Sequence, residues 1–318
     1  MKFILISDLH LLNKQPLGRV DDTPETLKKK IIYILNSATK YDATILQAGD
    51  FTDGPRNWGL LSWITEIFSN WQINRLTKKD FYCIFGQHDT YLYSEKTRDK
   101  TILGVLAKAN LVNILGSEPV IFTEGPRKDE TVAIYGCSYG MDVPKTNGIN
   151  NQLKILVIHK EISDAPLFKD HEYTSAMAFL KKNKDFDLII CGDIHRRFKL
   201  SLTDENKTRY IVNTGPLLRR SVDEWDHKPG FYIFDSMNRS FTWQEIPHAP
   251  SKEVLTRDHI EKREETVQIL EDFIKAVKSE KIQGLSFREN FNKFLKENDD
   301  ELGQGVKDIL SEVMMEDL

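Results

Sequence analysis

Residues 187–195, DLIICGDIH, and residues 3–10, FILISDLH, decide how this chain reads. Each is an apolar run of strand length that stops on Asp-x-His. In extended backbone, residues i and i+2 point the same way, so each run presents a carboxylate and an imidazole to one spot. The two runs lie nearly two hundred residues apart, which predicts one site assembled from distant pieces of chain.

Other apolar runs lie between and beyond them. Lys2–Ile6, Ala43–Gln47, Phe81–Phe85, Val132–Tyr135, Lys154–Ile158 and Leu188–Cys191 read as strands buried on both faces, each bounded by Gly, Asp or a turn. Helices are expected between them. Thr23-Pro24 reads as an N-cap with a first-turn proline, followed by Leu27, Ile31, Ile34, Leu35 and Ala38 at helical spacing. Asn57–Asn70 and Thr101–Ala109 read as two more helices. Strands recur at Arg209–Asn213, Phe231–Phe234 and Phe241–Glu245. Past Pro250, a stripe from Ile260 to Val277, a break at Gly284, a capping box at Ser286-x-x-Glu289 and an amphipathic stretch at Val306–Met314 predict a separate helical unit. The expected organisation is a domain over residues 1–247 and a helical tail over 248–318.

Composition excludes little. The chain has 318 residues, 40% hydrophobic and 29% charged, with a net charge of −4. From Ser251 onward there are 11 basic and 17 acidic residues, so the tail is acidic and the rest near neutral. No run is long enough for a membrane span, and the first residues lack a signal-peptide pattern, so a cytoplasmic protein is expected. Cys83, Cys137 and Cys191 show no paired spacing and read as buried free thiols.

Five polar clusters fall just past the ends of five strand candidates: Asp8-x-His10, Gly49-Asp50, Gly86-Gln87-His88-Asp89, His159, and Gly192-Asp193-x-His195. Ligands in open α/β sheets gather at the carboxyl ends of strands, so these clusters can converge. Asp and His form the ligand set of hydrolytic metal sites, and there are too many for one ion. Two ions about 3.5–4 Å apart, bridged by a carboxylate, would use them all.

In this order the clusters resemble the blocks of the calcineurin-like metallophosphoesterases: Asp-x-His, Gly-Asp, Gly-Asn-His-Asp, His and Gly-His-x-His. The resemblance implies a four-layer α/β/β/α sandwich with a strand-rich closing segment and a C-terminal helical tail. It implies that Asp8, His10, Asp50 and His195 hold a first metal, and that Asp50, Gln87, His159 and Asp193 hold a second. His88 would stabilise phosphoryl oxygens or protonate the leaving group, with Asp89 orienting its ring. Two departures stand out. Gln87 replaces the usual Asn, and Asp193 replaces the first His of the last block; the added anionic oxygen favours Mn²⁺ or Mg²⁺ over zinc.

Within the family, Arg19–Asp22, Phe51–Arg56, Tyr210–Arg219 and Gly230–Asp235 make the chain most similar to SbcD-type nuclease subunits of the double-strand-break repair complex. That similarity implies a Mn²⁺-dependent DNA exo/endonuclease, a coiled-coil SMC-like ATPase partner of the SbcC type, association with the nucleoid, and a homodimer through the helices at Thr23–Ala38 and Asn57–Asn70. Arg19, Arg56, Arg196, Arg197 and Arg219 are the candidate DNA contacts. The alternatives are a phosphoesterase of the same fold acting on nucleotides or small phosphodiesters, and a non-catalytic DNA-binding scaffold. Gly136-Cys137-Ser138-Tyr139-Gly140 spells a nucleophile elbow, but no helix pattern follows it, so Ser138 reads as a turn residue. His171, His227, His248 and His259 fit no block and read as surface or structural.

Overall fold

The computed structural model describes residues 1–74, 80–124, 130–146, 153–204 and 207–258, together with residues 260, 261, 267, 268, 271 and 275. The chain divides into two units, Met1–Val254 and Leu255–Leu318. The expected helical seam, break and capping box of the tail lie outside the described residues, apart from isolated positions.

In chain order the first half contains β1 (Lys2–Ile6), α1 (Thr23–Tyr41), β2 (Ala43–Gln47), α2 (Trp58–Asn74), β3 (Phe81–Cys83), α3 (Ile102–Lys108), β4 (Asn113–Ile114), β5 (Val120–Glu124) and β6 (Glu130–Cys137). The second half adds β7 (Leu153–His159), β8 (Ile162–Ser163), β9 (Thr174–Ser175), α4 (Ala176–Lys182), β10 (Leu188–Gly192), β11 (Phe198–Asp204) and β12 (Lys207–Asn213). It closes with β13 (Gly230–Asp235), β14 (Ser240–Glu245) and the short α5 (Ser251–Val254).

Two six-stranded sheets result, ordered β14-β13-β1-β2-β3-β4 and β11-β12-β10-β7-β6-β5. The runs β1-β2-β3-β4 and β12-β10-β7-β6 are parallel, whereas β1–β13, β13–β14, β11–β12 and β5–β6 are antiparallel. Strand alternation sorts side chains into layers. Phe3 and Leu5 join Ile155, Val157, Leu188 and Ile190 in the core between the sheets. Ile4 and Ile6 face the other way, packing with Leu27, Ile31 and Phe68 of the helices over the first sheet. Leu156, Ile158 and Ile189 pack with Phe179 and Leu180 of α4 beyond the second. This is the expected α/β/β/α arrangement. Strands buried on both faces explain why their sequences are continuous apolar runs.

Two local expectations are corrected. The N-cap of α1 is Asp22, whose carboxylate accepts from Glu25 N, while Thr23 is already helical. An ionised Asp next to a helix start outcompetes the neighbouring hydroxyl because it also meets the positive end of the helix dipole. The second helix begins at Trp58, and the Asn57 side chain accepts from Leu60 N. Ser138 lies past β6 in a turn, its Oγ accepting from Phe85 N. No helix follows it among the described residues up to 146, so the elbow spelling is read as coincidental.

Candidate metal centre

Both parallel cores deliver their strand ends to the same edge of the sandwich. Asp8 and His10 follow β1, Asp50 follows β2, the Gln87–Asp89 turn follows β3, His159 ends β7, and Asp193 and His195 follow β10. Backbone bonds lace the loops together: His10 N donates to Asp50 O at 2.9 Å and Leu11 N to Phe51 O at 3.0 Å.

The geometry demands unusual backbone. Asp8, His10, Asp50 and Asp193 all have positive φ, at 45°, 42°, 50° and 101°. Non-glycine residues in this region carry strain and concentrate at functional sites. Gly49 (φ 84°) and Gly86 explain how the loops approach so closely. A Cβ on Gly49 would lie 2.3 Å from His159 Nδ1, and one on Gly86 would lie 2.0 Å from Asp50 Oδ1.

The side chains meet as two facing groups joined by Asp50. His10 Nε2 and His195 Nε2 are 2.9 Å apart. Asp193 N donates to Asp8 Oδ1 at 2.9 Å, while Asp8 Oδ2 is buried without a hydrogen-bond partner among the described residues. On the other side, His159 Nε2 lies 2.7 Å from Gln87 Oε1, and Gln87 Nε2 donates to Asp193 Oδ1 at 2.6 Å. Asp50 Oδ2 stands 3.6 Å from His10 Nε2 and 3.5 Å from His159 Nε2, between the two groups. Three sets of donor atoms could each hold an ion: Asp8, His10 and His195; His10, Asp50 and His88; and Asp8, Asp50 and His159. Two imidazole nitrogens aimed at each other, an orphaned carboxylate oxygen and a shared carboxylate are the features of a site built for cations. The donor set fits divalent metals.

Electrostatics in the protein alone point the same way. Burial opposes ionisation of Asp50, but His159, His10 and His88 overcome it and hold the carboxyl below its ordinary range. Burial disfavours protonated His159, yet Asp50, with Asp8 and Asp193 beyond it, raises it to about 10. His195 is raised against its own burial, with Glu224 the leading cause. Asp193 is raised because burial outweighs the attraction of His159. Acids and imidazoles this strongly interlocked are poised to exchange protons for cations.

Several residues around the centre escaped sequence reasoning. Glu224 Oε1 accepts from His195 Nδ1 at 2.8 Å. Asp53 Oδ1 lies 3.5 Å from His10 Nδ1 and forms an ion pair with Arg220. Asn213 Oδ1 accepts from Ser7 Oγ and Gly215 N, while its amide donates to Ile194 O, tying β1, β10 and β12 together behind the ligands. The separation of Glu224 from His195 and of Arg220 from Asp53 left no local spacing signal.

The expected partnership of His88 and Asp89 is corrected. Fully buried Asp89 is occupied by Phe51 N, Thr52 N, Thr52 Oγ1 and Gly86 N, so it pins two strand-end loops together and does not orient the His88 ring. Burial and the nearby Asp50 push it up to about 6. The His88 side chain is 43% exposed, with Nε2 4.0 Å from Asp50 Oδ2 and its ring edge-on to His10 at 4.9 Å between centroids.

The candidate DNA contacts divide sharply. Arg19 and Arg219 are each 5% exposed. Arg19 pairs with Asp21 and donates to Arg219 O, and Arg219 donates to Ser251 Oγ and Ala249 O. Both are buried, which corrects their reading as DNA contacts. Arg56, Arg196 and Arg197 are exposed; Arg56 stacks 4.2 Å from the Tyr91 ring, Arg196 pairs with Asp164, and Arg197 stacks 4.3 Å from the Trp243 ring. His171 contacts Glu161, His227 faces Pro216 O and His248 faces Ile246 O. His259 lies outside the described residues. No described helix is long and apolar enough to cross a membrane.

Two stacked sheets with Asp and His gathered at their strand ends define a phosphoesterase architecture. The chain belongs to the calcineurin-like phosphoesterase family, whose sequence description matches residues 1–197. No curated protein sequence matches it. Among solved structures, 86 chains match. One of them, characterised as a novel archaeal phosphodiesterase, is 12% identical, with 77% of this chain and 99% of that chain covered and a TM-score of 0.37. That likeness is too distant to carry an argument about activity.

Proposed function

We propose that the protein is a two-metal, Mn²⁺-dependent phosphodiesterase that cuts DNA, the nuclease subunit of an SbcCD-like repair complex associated with the nucleoid. The observation that supports this most is the placement of Asp50 between two facing donor groups, His10/His195 with Asp8 and His159/Gln87 with Asp193. In this reading Asp8, His10, Asp50 and His195 hold one ion, and Asp50, Gln87, His159 and Asp193 the other. When bound, the cations supply Lewis acidity to a phosphate diester and a hydroxide nucleophile near neutral pH. The protein supplies the rest. Glu224 fixes the His195 ring, Asp89 holds the loops in register, and exposed His88 would donate a proton to the departing oxygen. Arg56, Arg196, Arg197 and Arg220 would contact the DNA backbone.

Burial of Arg19 and Arg219 thins the cationic surface and favours a second reading, a phosphoesterase of nucleotides or small phosphodiesters. In the nuclease reading the homodimer forms through α1 and α2, on which Ile32, Trp58 and Ile73 are exposed. The tail would meet the coiled-coil ATPase. The test is release of nucleotides from duplex and single-stranded DNA with Mn²⁺, run beside chromogenic mono- and diesters, with the ATPase partner present. DNA cleavage lost in His88→Ala supports the nuclease; turnover of small esters without DNA cleavage selects the second reading.

A further inference from the structure

A cavity of about 530 Å³ opens away from the metal centre, between the start of α1, the segment after β12 and the segment after β14. Pockets of roughly 300–1,000 Å³ are the size that holds small ligands. Its wall contains four cationic side chains, Arg19, Lys29, Lys30 and Arg219, and one carboxylate, Asp21; Lys29, at the exposed rim, also pairs with Glu25 at 3.7 Å. Arg19, Lys30 and Arg219 are 5%, 4% and 5% exposed. Buried charge of one sign is costly unless something neutralises it. Here Asp21 is taken up by Arg19 and by Thr26 Oγ1. Among the described residues no carboxylate pairs with Lys30 or Arg219. Lys30 Nζ donates to Leu217 O at 2.7 Å, which leaves two of its three N–H groups for another acceptor.

We infer that this cavity is a binding site for a phosphate monoester of nucleotide size, held by Lys30, Lys29 and Arg219, with Tyr33, Ile246 and Pro247 against its organic part. Lys30 and Arg219 share one wall closely enough to repel each other, as a site for a phosphoryl dianion requires, and Tyr33, Ile246 and Pro247 line the same cavity. Burial, followed by the repulsion of Arg19 and Arg219, pushes Lys30 down to about 7, against the weaker pull of Asp21. Arg19, Asp21, Lys29, Tyr33, Arg219 and His248 are the charged or titratable groups that share the cavity with Lys30. The site lies behind the Leu217 backbone, whose N–H donates to Asp8 O at 3.0 Å, so it is separate from the metal centre although it adjoins its framework.

The test is calorimetric titration of the full chain in chelator, which removes metal-dependent binding, with adenosine 5′-monophosphate, inorganic phosphate and adenosine. Saturable binding of the monophosphate is expected, with adenosine silent. Lys30→Met should weaken it by about tenfold or more, the loss of one charge-assisted hydrogen bond. Lys29→Met, at the exposed rim, gives up only a solvent-exposed pair with Glu25 and should weaken it several-fold with the thermal midpoint little changed; Lys29→Glu should weaken it further. Asp50→Asn should leave it unchanged. The monophosphate should bind more tightly than inorganic phosphate because Tyr33, Ile246 and Pro247 meet its organic part; equal affinity would overturn the assignment to a nucleotide-sized monoester. Absence of saturable phosphate binding, equal binding of adenosine, or binding lost in Asp50→Asn but kept in Lys29→Glu would overturn the assignment.

Discussion

Glu224 Oε1 accepts a hydrogen bond from His195 Nδ1 at 2.8 Å and thereby turns His195 Nε2 toward His10 Nε2. The second carboxylate oxygen of Glu224 accepts from Arg220 N, so the acid is itself held in place. An imidazole whose outer nitrogen is committed to a carboxylate presents its inner lone pair in a fixed direction.

Glu224→Ala should therefore weaken divalent-metal affinity by about 10–100-fold, the usual effect of removing such a partner. Glu224→Gln keeps an acceptor without the charge and should lie between. Competition against a fluorescent chelator with Mn²⁺ reads both. Equal affinity in all three proteins would mean that His195 is oriented by its loop alone.

His88 and Asp89 are neighbours with different work. His88→Ala removes an exposed ring and should cost about 10²–10⁴-fold in turnover, with metal content and thermal midpoint unchanged. Asp89→Ala strands Phe51 N, Thr52 N and Gly86 N in a buried loop, each worth roughly 1–3 kcal/mol, and should lower the thermal midpoint steeply. Loss of an ion from His88→Ala would instead make His88 a ligand, through the His10–Asp50–His88 set.

Metal preference should follow the two departures from the family pattern. Asp193 takes a hydrogen bond from Gln87 in place of offering an imidazole. Asp193→His adds a nitrogen donor at the same strand end and should shift the metal recovered by elemental analysis from manganese toward zinc. Gln87→Asn shortens the amide by one methylene and should weaken the site without changing that ratio. An unchanged metal ratio in Asp193→His would show that position 193 does not set selectivity.

The inner strands were legible because parallel strands covered on both faces write continuous apolar runs, as in Leu188–Gly192, whereas the edge strands Val120–Glu124 and Phe198–Asp204, mixed polar and apolar, were not. The five clusters were legible because ligands cluster where such strands end. What was hidden depended on contacts across the chain. Nothing near Glu224 announces His195, and nothing near Asp53 announces Arg220. Arg19 and Arg219 read as surface charge, yet both are buried, Arg19 paired with Asp21 and Arg219 donating to Ser251 Oγ and Ala249 O. Asp89 misled for the opposite reason: adjacency to His88 suggested a pair, whereas four donors from two loops had already claimed its oxygens.

His227 gives the fold a measurable acid dependence outside the metal centre. Its Nε2 lies 2.7 Å from Pro216 O, and its ring fills the space a Cβ on Gly215 would occupy. Burial, opposed by the Pro216 carbonyl and Glu224 and helped by Lys30 and Arg197, lowers its pKa to about 4. The folded value lies below the ordinary one near 6.5, so the unfolded chain takes up the proton first as pH falls. The stabilisation is complete above about pH 6.5, declines between 6.5 and 4, and is gone below. Because the ring is only partly shielded, its share is on the order of 1–2 kcal/mol after screening. His227→Gln retains a donor and removes the titration. Urea unfolding at pH 4.5 and 7.5 should show the native protein losing about that much more stability on acidification than the variant. Parallel losses in both proteins would place the acid sensitivity in the carboxylates and not in His227.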